Sequence, residues 1–301
     1  MPAPLLLAAD LTVRYPGSVT ALDRLDLEVP GQGITCLLGA NGAGKTTLLE
    51  AACGLRPRTS GHLEVLGRAP GSTANRLSLG VMLQDDGLPG GARPREFLDY
   101  LSRLYPHPRD VPSLLEAVEI DPAIRTPMRR LSGGQRRRVA WAAAMVGRPT
   151  ALLLDEPTAG VDPLGRERLR EVLAAEASGG VALVVSTHLI EDVEAFADFV
   201  VVLRRGRAVL TGRPEDLRPR NTLLVKATRP MDGGLLLAAL PAGSTCRRST
   251  DDSYLVEVPT GIDPAVMATV SSWCSQHSIT ADLAIADLRS VLWDALRGDR
   301  T

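Results

Sequence analysis

The fold is decided by residues 39 to 47, which read Gly39-Ala40-Asn41-Gly42-Ala43-Gly44-Lys45-Thr46-Thr47. The apolar run from Gly33 to Leu38 before them predicts a buried strand, and the helix-favouring residues Leu48 to Ala52 follow. Strand, glycine-rich loop and helix are the context of a phosphate-binding loop. Glycines let backbone N–H groups approach phosphate oxygens, and a helix N-terminus attracts anions. The pattern therefore predicts nucleotide binding rather than a glycine-rich turn with a surface lysine.

Two side chains of this loop have expected roles. Lys45 is predicted to reach the β- and γ-phosphates, and the hydroxyl of Thr46 is predicted to bind Mg²⁺. Lys45 and Lys226 are the only lysines among 34 basic residues. A lysine at position 45, where arginine is otherwise the rule, indicates that a compact point charge is needed there.

A second strand is predicted to supply carboxylates beside the loop. Residues 151 to 156 read Ala-Leu-Leu-Leu-Asp-Glu, an apolar run typical of a parallel strand buried on both faces. Asp155 is the expected metal carboxylate, and Glu156 is the expected general base for the water that attacks the γ-phosphate. An apolar strand followed by acids is common by itself, so this interpretation depends on the phosphate-binding loop.

Composition limits the class of protein. The 301 residues are 45% hydrophobic and 23% charged, which is typical of a globular chain with one or two domains. The formal charge of -1 provides no basic field for DNA, so we expect no nucleic-acid partner. No apolar run approaches the ~20 residues that span a bilayer. The first ten residues lack the positive n-region of a signal peptide, and four widely spaced cysteines indicate no zinc site, so we expect a cytoplasmic protein.

A third motif, Leu131-Ser132-Gly133-Gly134-Gln135, predicts a helix start with Ser132 as its N-cap and hence a second anion-binding helix end. Leu-Ser-Gly-Gly-Gln is the signature sequence of the ATP-binding cassette (ABC) ATPases, and residues 5 to about 215 of this chain resemble that family. The resemblance implies an α/β P-loop NTPase cassette with a RecA-like core, an antiparallel β subdomain and a helical subdomain.

The resemblance also implies roles for residues that mean little alone. Tyr15 would stack on adenine, Gln84 would contact Mg²⁺ and the attacking water, and His188 would contact the γ-phosphate. Asp162 closes a loop that would contact a second cassette, and the signature would act on the ATP of that partner. The expected catalytic residues are Glu156, His188, Gln84 and Lys45, and the expected metal ligands are Thr46, Gln84 and Asp155. The expected nucleotide-binding residues are Tyr15, Gly39, Ala40, Asn41, Gly42, Ala43, Gly44, Lys45, Thr46, Thr47, Ser132, Gly133, Gly134, Gln135 and Asp162.

The predicted domains are a cassette over residues 1–216, with its helical subdomain at about 87–148, and an accessory domain over 217–301. Helices are expected at Pro94 to Leu104, Pro112 to Glu119 and Gly134 to Val146. The sequence pattern of the C-terminal domain predicts a small α+β fold with elements in the order β-α-β-β-α-β, which suggests a ferredoxin-like sandwich. Its helices are expected at 231–240 and 264–276, its last strand at 279–284, and its central strands are hinged on Asp251-Asp252.

The expected function is ATP hydrolysis by the motor subunit of an ABC transporter. It would act as a dimer of cassettes, a homodimer by preference, with a separate membrane permease at the inner face of the cell membrane. The C-terminal extension is similar to that of daunorubicin-resistance-type export ATPases, which implies export of a drug-like or lipid-like compound. Residues 85–94 and the end at 287–293 depart from that subgroup, the former by lacking an aromatic residue where a permease docks. The alternatives are a soluble ABC ATPase of DNA repair or translation, and a regulatory nucleotide sensor.

Overall fold

The computed structural model describes residues 3–17, 19–84, 87–249 and 252–297. Three features considered in the sequence lie partly outside these ranges. They are the N-terminal stretch, which includes Met1 and Pro2, the segment after Gln84, which includes Asp85 and Asp86, and the predicted hinge, which includes Asp251. The chain divides into two compact units, Met1–Thr211 and Gly212–Thr301.

The first unit alternates strands with helices, and its last strand reaches Gly212. Its elements are, in chain order, β1 (Leu6–Tyr15), β2 (Val19–Val29), β3 (Ile34–Leu38), α1 (Lys45–Ala52), β4 (Ser60–Val65), α2 (Thr73–Ser78), β5 (Leu79–Met82), α3 (Pro94–Ser102), α4 (Val111–Ala117), a 3₁₀ turn (Met128–Arg130), α5 (Gly133–Met145), β6 (Ala151–Asp155), α6 (Pro163–Ser178), β7 (Ala182–Thr187), α7 (Ile190–Phe196), β8 (Phe199–Arg204) and β9 (Arg207–Gly212).

A six-stranded sheet in the order β5-β6-β7-β3-β8-β9 forms the centre of this unit. β3 is parallel to both β7 and β8, and β6 is parallel to both β5 and β7. Every residue of β3, β6 and β7 is buried, as the apolar runs predict for parallel strands covered on both faces. The carboxyl ends of these three strands therefore lie at one edge, where the glycine-rich loop, Glu156 and His188 follow them.

A smaller antiparallel sheet, in the order β2-β1-β4, lies beside helix α1. Leu11 and Leu22 of this sheet share one buried cluster with Leu48 and Leu49 of α1. The antiparallel β subdomain that the resemblance implies is thus confirmed, and its apolar face stabilises the helix that begins at Lys45.

The three helices predicted between residues 87 and 148 form as α3, α4 and α5. Helix α5 packs so closely on β5 that a Cβ atom at Gly80 would lie only 2.0 Å from the carbonyl oxygen of Ala144. The fully buried Trp141 of α5 donates its indole N–H to the carbonyl of Pro157 at 3.2 Å. This bond connects the signature helix to the turn that follows Glu156.

The second unit contains α8 (Pro214–Leu217), β10 (Thr222–Ala227), α9 (Gly233–Leu237), β11 (Thr245–Arg248), β12 (Ser253–Glu257), α10 (Pro264–Gln276), β13 (Ala281–Ile285) and α11 (Leu288–Arg297). Its sheet has the order β11-β12-β10-β13 with antiparallel pairs throughout. The succession from β10 to β13 is the ferredoxin-like one. Val225, Val256, Val270 and Trp273 lie in its buried core.

Several predicted boundaries in this unit were wrong, including the end of its first predicted helix, which was expected at residue 240 and lies at Leu237. The helix expected from residue 231 begins at Gly233, because the Asp232 carboxylate accepts bonds from the N–H groups of Gly234 and Leu235 and caps the helix there. The strand expected from Ile279 begins at Ala281, because the N–H of Ile279 still bonds to the carbonyl of Cys274 after α10.

No helix in the described part of the chain is both long and apolar enough to cross a membrane.

Candidate active site

The glycine-rich loop owes its shape to glycines at positions where other residues would be strained. Gly44 caps α1 with φ 108°, and a Cβ there would lie 2.7 Å from the Ala21 carbonyl oxygen. Gly42 also has a positive φ, 80°. Side chains other than glycine are strained in this region, so the sequence at 42 and 44 dictates the turn into α1.

Lys45 is nearly buried, with 5% of its surface exposed. Its ammonium donates to the carbonyl oxygens of Gly39 at 2.7 Å and Ala40 at 3.3 Å. It also lies 3.5 Å from Oε1 of Glu156. The lysine is therefore held at the loop by its own backbone and by a carboxylate from the neighbouring strand end.

Asp155 ends strand β6 and is fully buried. One of its carboxylate oxygens, Oδ2, accepts a hydrogen bond from the hydroxyl of Thr46 at 2.7 Å. The other, Oδ1, accepts a hydrogen bond from the hydroxyl of Ser186. The predicted metal ligands Thr46 and Asp155 thus lie in direct contact, although they are far apart in sequence.

Glu156 follows Asp155 with a positive φ of 47°. Its Oε2 lies 3.1 Å from Nδ1 of His188, while its Oε1 faces Lys45. The glutamate side chain is 15% exposed and that of His188 is 45% exposed. The structure therefore brings the expected base, the expected histidine and the loop lysine together. Lys45 and Glu156 line one cavity, whereas His188 does not line it and contacts it only through Glu156.

That cavity has a volume of about 450 Å³. The predicted residues that line it are Tyr15, Asn41, Gly42, Gly44, Lys45, Thr46, Thr47, Gln84 and Glu156. Gly39, Ala40 and Ala43 do not line it, and Ala43 is buried in the core instead. Gln84 reaches the cavity from the end of β5, which places an amide opposite the glycine-rich loop.

Tyr15 lies at one end of the cavity, held by its hydroxyl and by a cation. Its hydroxyl is 3.1 Å from Oγ1 of Thr47 and donates to Glu50 at 3.4 Å. The guanidinium of Arg56 lies 4.0 Å from the ring centroid, and a 2.6 Å hydrogen bond to Glu50 raises the pKa of Arg56. Tyr15 lines the cavity, whereas Arg56 does not.

The signature residues lie outside this cavity. Ser132 and Gln135 form a capping box at the start of α5, with hydrogen bonds of 3.0 and 3.2 Å. A Cβ at Gly133 would meet no atom within 4 Å, so the backbone of this helix end is open. An accessible helix N-terminus of this kind can receive an anion from outside its own chain.

Asp162 also lies outside the cavity and caps helix α6. Its carboxylate accepts from the N–H of Gly165 at 2.9 Å, and this bond holds the pKa of Asp162 below its usual value. Arg138 lies 3.7 Å away. The residue was expected among the nucleotide contacts, and within its own chain it serves as a helix cap instead.

Several residues of the site carried no signal in the sequence. Val19, Thr20 and Ala21 line the cavity from the start of β2, where they belong to no motif. Ser186 and Arg56 contact site residues through tertiary structure. Only knowledge of the pairing of β6 with β7, which places Ser186 beside Asp155, could have identified the serine.

Comparisons with known proteins agree with this geometry. The family model described as ABC transporter matches residues 22–159. A cobalt import ATP-binding protein of Rhodobacter capsulatus is 41% identical over an alignment of 241 residues, and the match covers 75% of this chain and 85% of that protein. A Nod factor export ATP-binding protein of Ralstonia nicotianae is 35% identical, over 71% of this chain and 68% of its own.

A solved structure has the same architecture. It is the dimeric, post-hydrolysis state of the ATP-binding cassette MJ0796 bound to ADP and Pi, with a TM-score of 0.63 and 22% identity over 69% of this chain and 98% of that one. This likeness and the family match confirm the expected cassette fold with its mixed α/β sheets.

Proposed function

The chain belongs to the ABC transporter family, whose ATP-binding proteins hydrolyse ATP coupled to transport, and we propose how its residues perform that reaction. The observation that carries the proposal is that Glu156 contacts both Lys45 and His188, beside the Thr46–Asp155 pair. These groups come from the ends of strands β6 and β7 and from the start of helix α1, which the parallel sheet holds in fixed positions.

In the proposed mechanism the backbone of residues 39–44 and the ammonium of Lys45 hold the β- and γ-phosphates. Glu156 accepts the proton of the attacking water, and His188, bonded to Oε2 of Glu156, orients that carboxylate and the γ-phosphate. Tyr15 stacks on the adenine, with its other side covered by Arg56. Catalysis then depends mainly on positioning and on charge stabilisation.

The donor set fits Mg²⁺. The Thr46 hydroxyl, the Asp155 carboxylate and the Gln84 amide are all hard oxygen donors, and the first two already touch at 2.7 Å. When bound, the ion would neutralise charge on the β- and γ-phosphate oxygens. Asp155 is fully buried, so its charge is available to a cation in a weakly screened site.

Two copies of the chain are proposed to act together. The chain contains one phosphate-binding loop and one signature, and within a single copy the signature does not line the cavity. The open helix end at Ser132–Gln135 and the Asp162 loop would meet the ATP of the second copy, completing its site. ATP would close this homodimer and hydrolysis would open it.

We further propose the domain assignment of a cassette over residues 1–216 and an accessory domain over 217–301. The accessory domain has its own buried core around Val225 and Trp273, and its sequence contains none of the three motifs that carry the chemistry. A role in dimer support or regulation is therefore proposed for it, rather than a role in the chemistry.

A separate membrane permease is the proposed partner, which would hold the chain at the inner face of the cell membrane. An apolar groove of about 510 Å³ lies beside β5 and α3 and supports this proposal. Leu83, Leu88, Phe97 and Leu101 line it. Phe97 thus supplies an aromatic ring close to the segment 85–94 that lacks one, and an amphipathic helix of the permease would fit the groove.

We propose that the transporter exports a hydrophobic drug-like or lipid-like compound, as in the daunorubicin-resistance type. The likeness to a Nod factor export protein supports export, whereas the likeness to a cobalt import protein favours uptake. Reconstituting the chain with its permease in vesicles and following ATP-driven movement of labelled substrates decides the direction.

The Glu156→Gln variant tests the mechanism. The amide keeps the side-chain volume but cannot accept the proton, so kcat should fall by about 10²–10⁴-fold. ATP binding should persist, and size-exclusion chromatography with ATP should show a trapped dimer. Glu167→Gln is the matched control, since Glu167 is an exposed carboxylate of α6 bonded to Arg170. Full ATPase activity in Glu156→Gln would refute the assignment of the base.

A further inference from the structure

Ser186 is a fully buried serine for which the motifs provide no role. It lies on β7, in register with Asp155 on the parallel strand β6. A buried hydroxyl needs hydrogen-bond partners. The hydroxyl of Ser186 bonds to both acidic residues of the site. Its partners are the side chain of Asp155 and the backbone N–H of Glu156.

The first contact controls the metal carboxylate. The hydroxyl of Ser186 donates to Oδ1 of Asp155, and Oδ2 faces the hydroxyl of Thr46 at 2.7 Å. With Oδ1 bonded, the carboxylate cannot rotate freely about its Cβ–Cγ bond. Ser186 therefore fixes the orientation of the carboxylate plane in which the other oxygen of Asp155 faces Thr46.

The second contact controls the expected base. The backbone N–H of Glu156 donates to Oγ of Ser186 at 2.9 Å and also to the Ser186 carbonyl at 3.2 Å. Glu156 has a φ of 47°, a conformation that a residue with a side chain keeps only when its surroundings hold it. The turn that directs its side chain to Lys45 and His188 is thus fixed at the backbone by Ser186.

A different carboxylate, that of Asp192, connects residues close to Ser186 and Glu156 in the chain. Oδ2 of the buried Asp192 accepts bonds from Thr187 at 2.7 Å and from Thr158 at 2.9 Å. This carboxylate connects the chain before His188 to the chain after Glu156. Since the ends of β6 and β7 are already joined there, loss of the Ser186 hydroxyl should release the two site carboxylates without separating the strands.

We propose that Ser186 is a positioning residue for ATP hydrolysis, which orients Asp155 through its hydroxyl proton and Glu156 through its oxygen lone pair. The proposal rests on the roles assigned above to Asp155 and Glu156. Ser186 itself touches neither nucleotide nor water in this reaction. It acts as the supporting partner of a metal ligand, and the loss of such a partner generally costs about ten- to a hundredfold in metal affinity or activity.

Three variants of Ser186 test the proposal. Ser186→Ala removes the hydroxyl, Ser186→Cys keeps the volume but supplies only a weak donor, and Ser186→Thr keeps the hydroxyl. Thr35→Val is the matched control, because Thr35 is buried on the adjacent strand β3 and its hydroxyl has no hydrogen-bond partner within the described residues. Each variant is assayed for kcat, KM for ATP, the Mg²⁺ concentration for half-maximal rate, and thermal melting. Affinity for a fluorescent ATP analogue is measured with Mg²⁺ and with EDTA.

The Ala and Cys variants should lose about ten- to a hundredfold in kcat and need more Mg²⁺. Their affinity for the analogue should fall with Mg²⁺ but not with EDTA, and Ser186→Thr should recover most of the rate. A wild-type kcat and Mg²⁺ requirement in Ser186→Cys would overturn the proposal, as would losses no larger than those of Thr35→Val. If Ser186→Ala does not fold, the Cys and Thr variants still decide. Suppose that the wild type hydrolyses ATP and Glu156→Gln does not, while Ser186→Cys keeps the wild-type kcat and Mg²⁺ requirement. That result refutes the role of Ser186 and leaves the role of Glu156 standing.

Discussion

Glu176→Ala is expected to destabilise the first unit although the residue lies outside the catalytic site. Glu176 of α6 is 8% exposed, and its two oxygens accept bonds from the guanidinium of Arg109 at 2.6 and 2.5 Å. The pair connects α6 to the segment before α4, at the base of the helical subdomain. The Nε atom of Arg109 is buried without a hydrogen-bond partner among the described residues, so the carboxylate is what compensates this cation.

The expected magnitude follows from burial. Removing one partner of a fully buried ion pair costs about 3–5 kcal/mol. The Arg109 side chain is 28% exposed and can turn partly to water, so we expect a loss of about 2–3 kcal/mol. For a unit of this size that lowers Tm by roughly 4–12 °C. Alanine favours helix formation at least as well as glutamate, so helix propensity does not add to the loss.

The assay is thermal melting, read on the transition that ATP raises, since only the unit that binds ATP is stabilised by it. Glu171→Ala is the control: Glu171 lies on the same helix and is bonded to Arg168 at 2.6 Å, but it is 57% exposed. An exposed pair contributes about 0–1 kcal/mol. Equal, small losses in the two variants would refute the argument that burial makes the Arg109–Glu176 pair important.

Two further predictions concern titration. Burial, with a smaller contribution from Glu50, raises the pKa of Cys53 to about 12, and burial also raises the pKa of the other three thiols. Ellman's reagent at pH 8 should therefore react slowly with all four cysteines in the folded protein and fast in urea. Fast reaction of Cys53 in the folded protein would contradict this. The pKa of Asp162 is lowered by its bond to Gly165, so its contribution to stability is present above about pH 4 and is lost as the pH falls below that value. Asp162→Asn keeps the cap but cannot titrate, so the Tm of the wild type should drop relative to this variant between pH 5 and 3, and parallel Tm curves would disprove the linkage.

The parts of the fold that the sequence predicted well are those with strong local signals. The glycine-rich loop follows from its glycines, and α10 begins and ends at the predicted residues, Pro264 and Gln276. Helix α2 was missed, because it is short and polar and is held by the buried Asn75, whose side-chain amide donates to the carbonyls of Val65 and Ala69. Such a contact depends on tertiary structure and leaves no local pattern.

The candidate site divides in the same way. Lys45, Asp155 and Glu156 could be chosen from their positions after apolar strands, because parallel strands present their carboxyl ends at one edge. Ser186 could not be chosen, since a serine within an apolar strand is ordinary and its value depends on strand order. The positive φ of Glu156 could not be predicted from the sequence either, because glutamate is not a residue that favours that conformation.

The burial of Lys45 affects how the protein recognises its ligand. With 5% of its surface exposed and its ammonium bonded to Gly39 and Ala40, the lysine loses its hydration shell when the chain folds. In the proposed site, an incoming phosphate would exchange places with carbonyl oxygens and with Glu156 rather than with bulk water. A ligand with too little negative charge would then fail to displace the partners that the lysine already has.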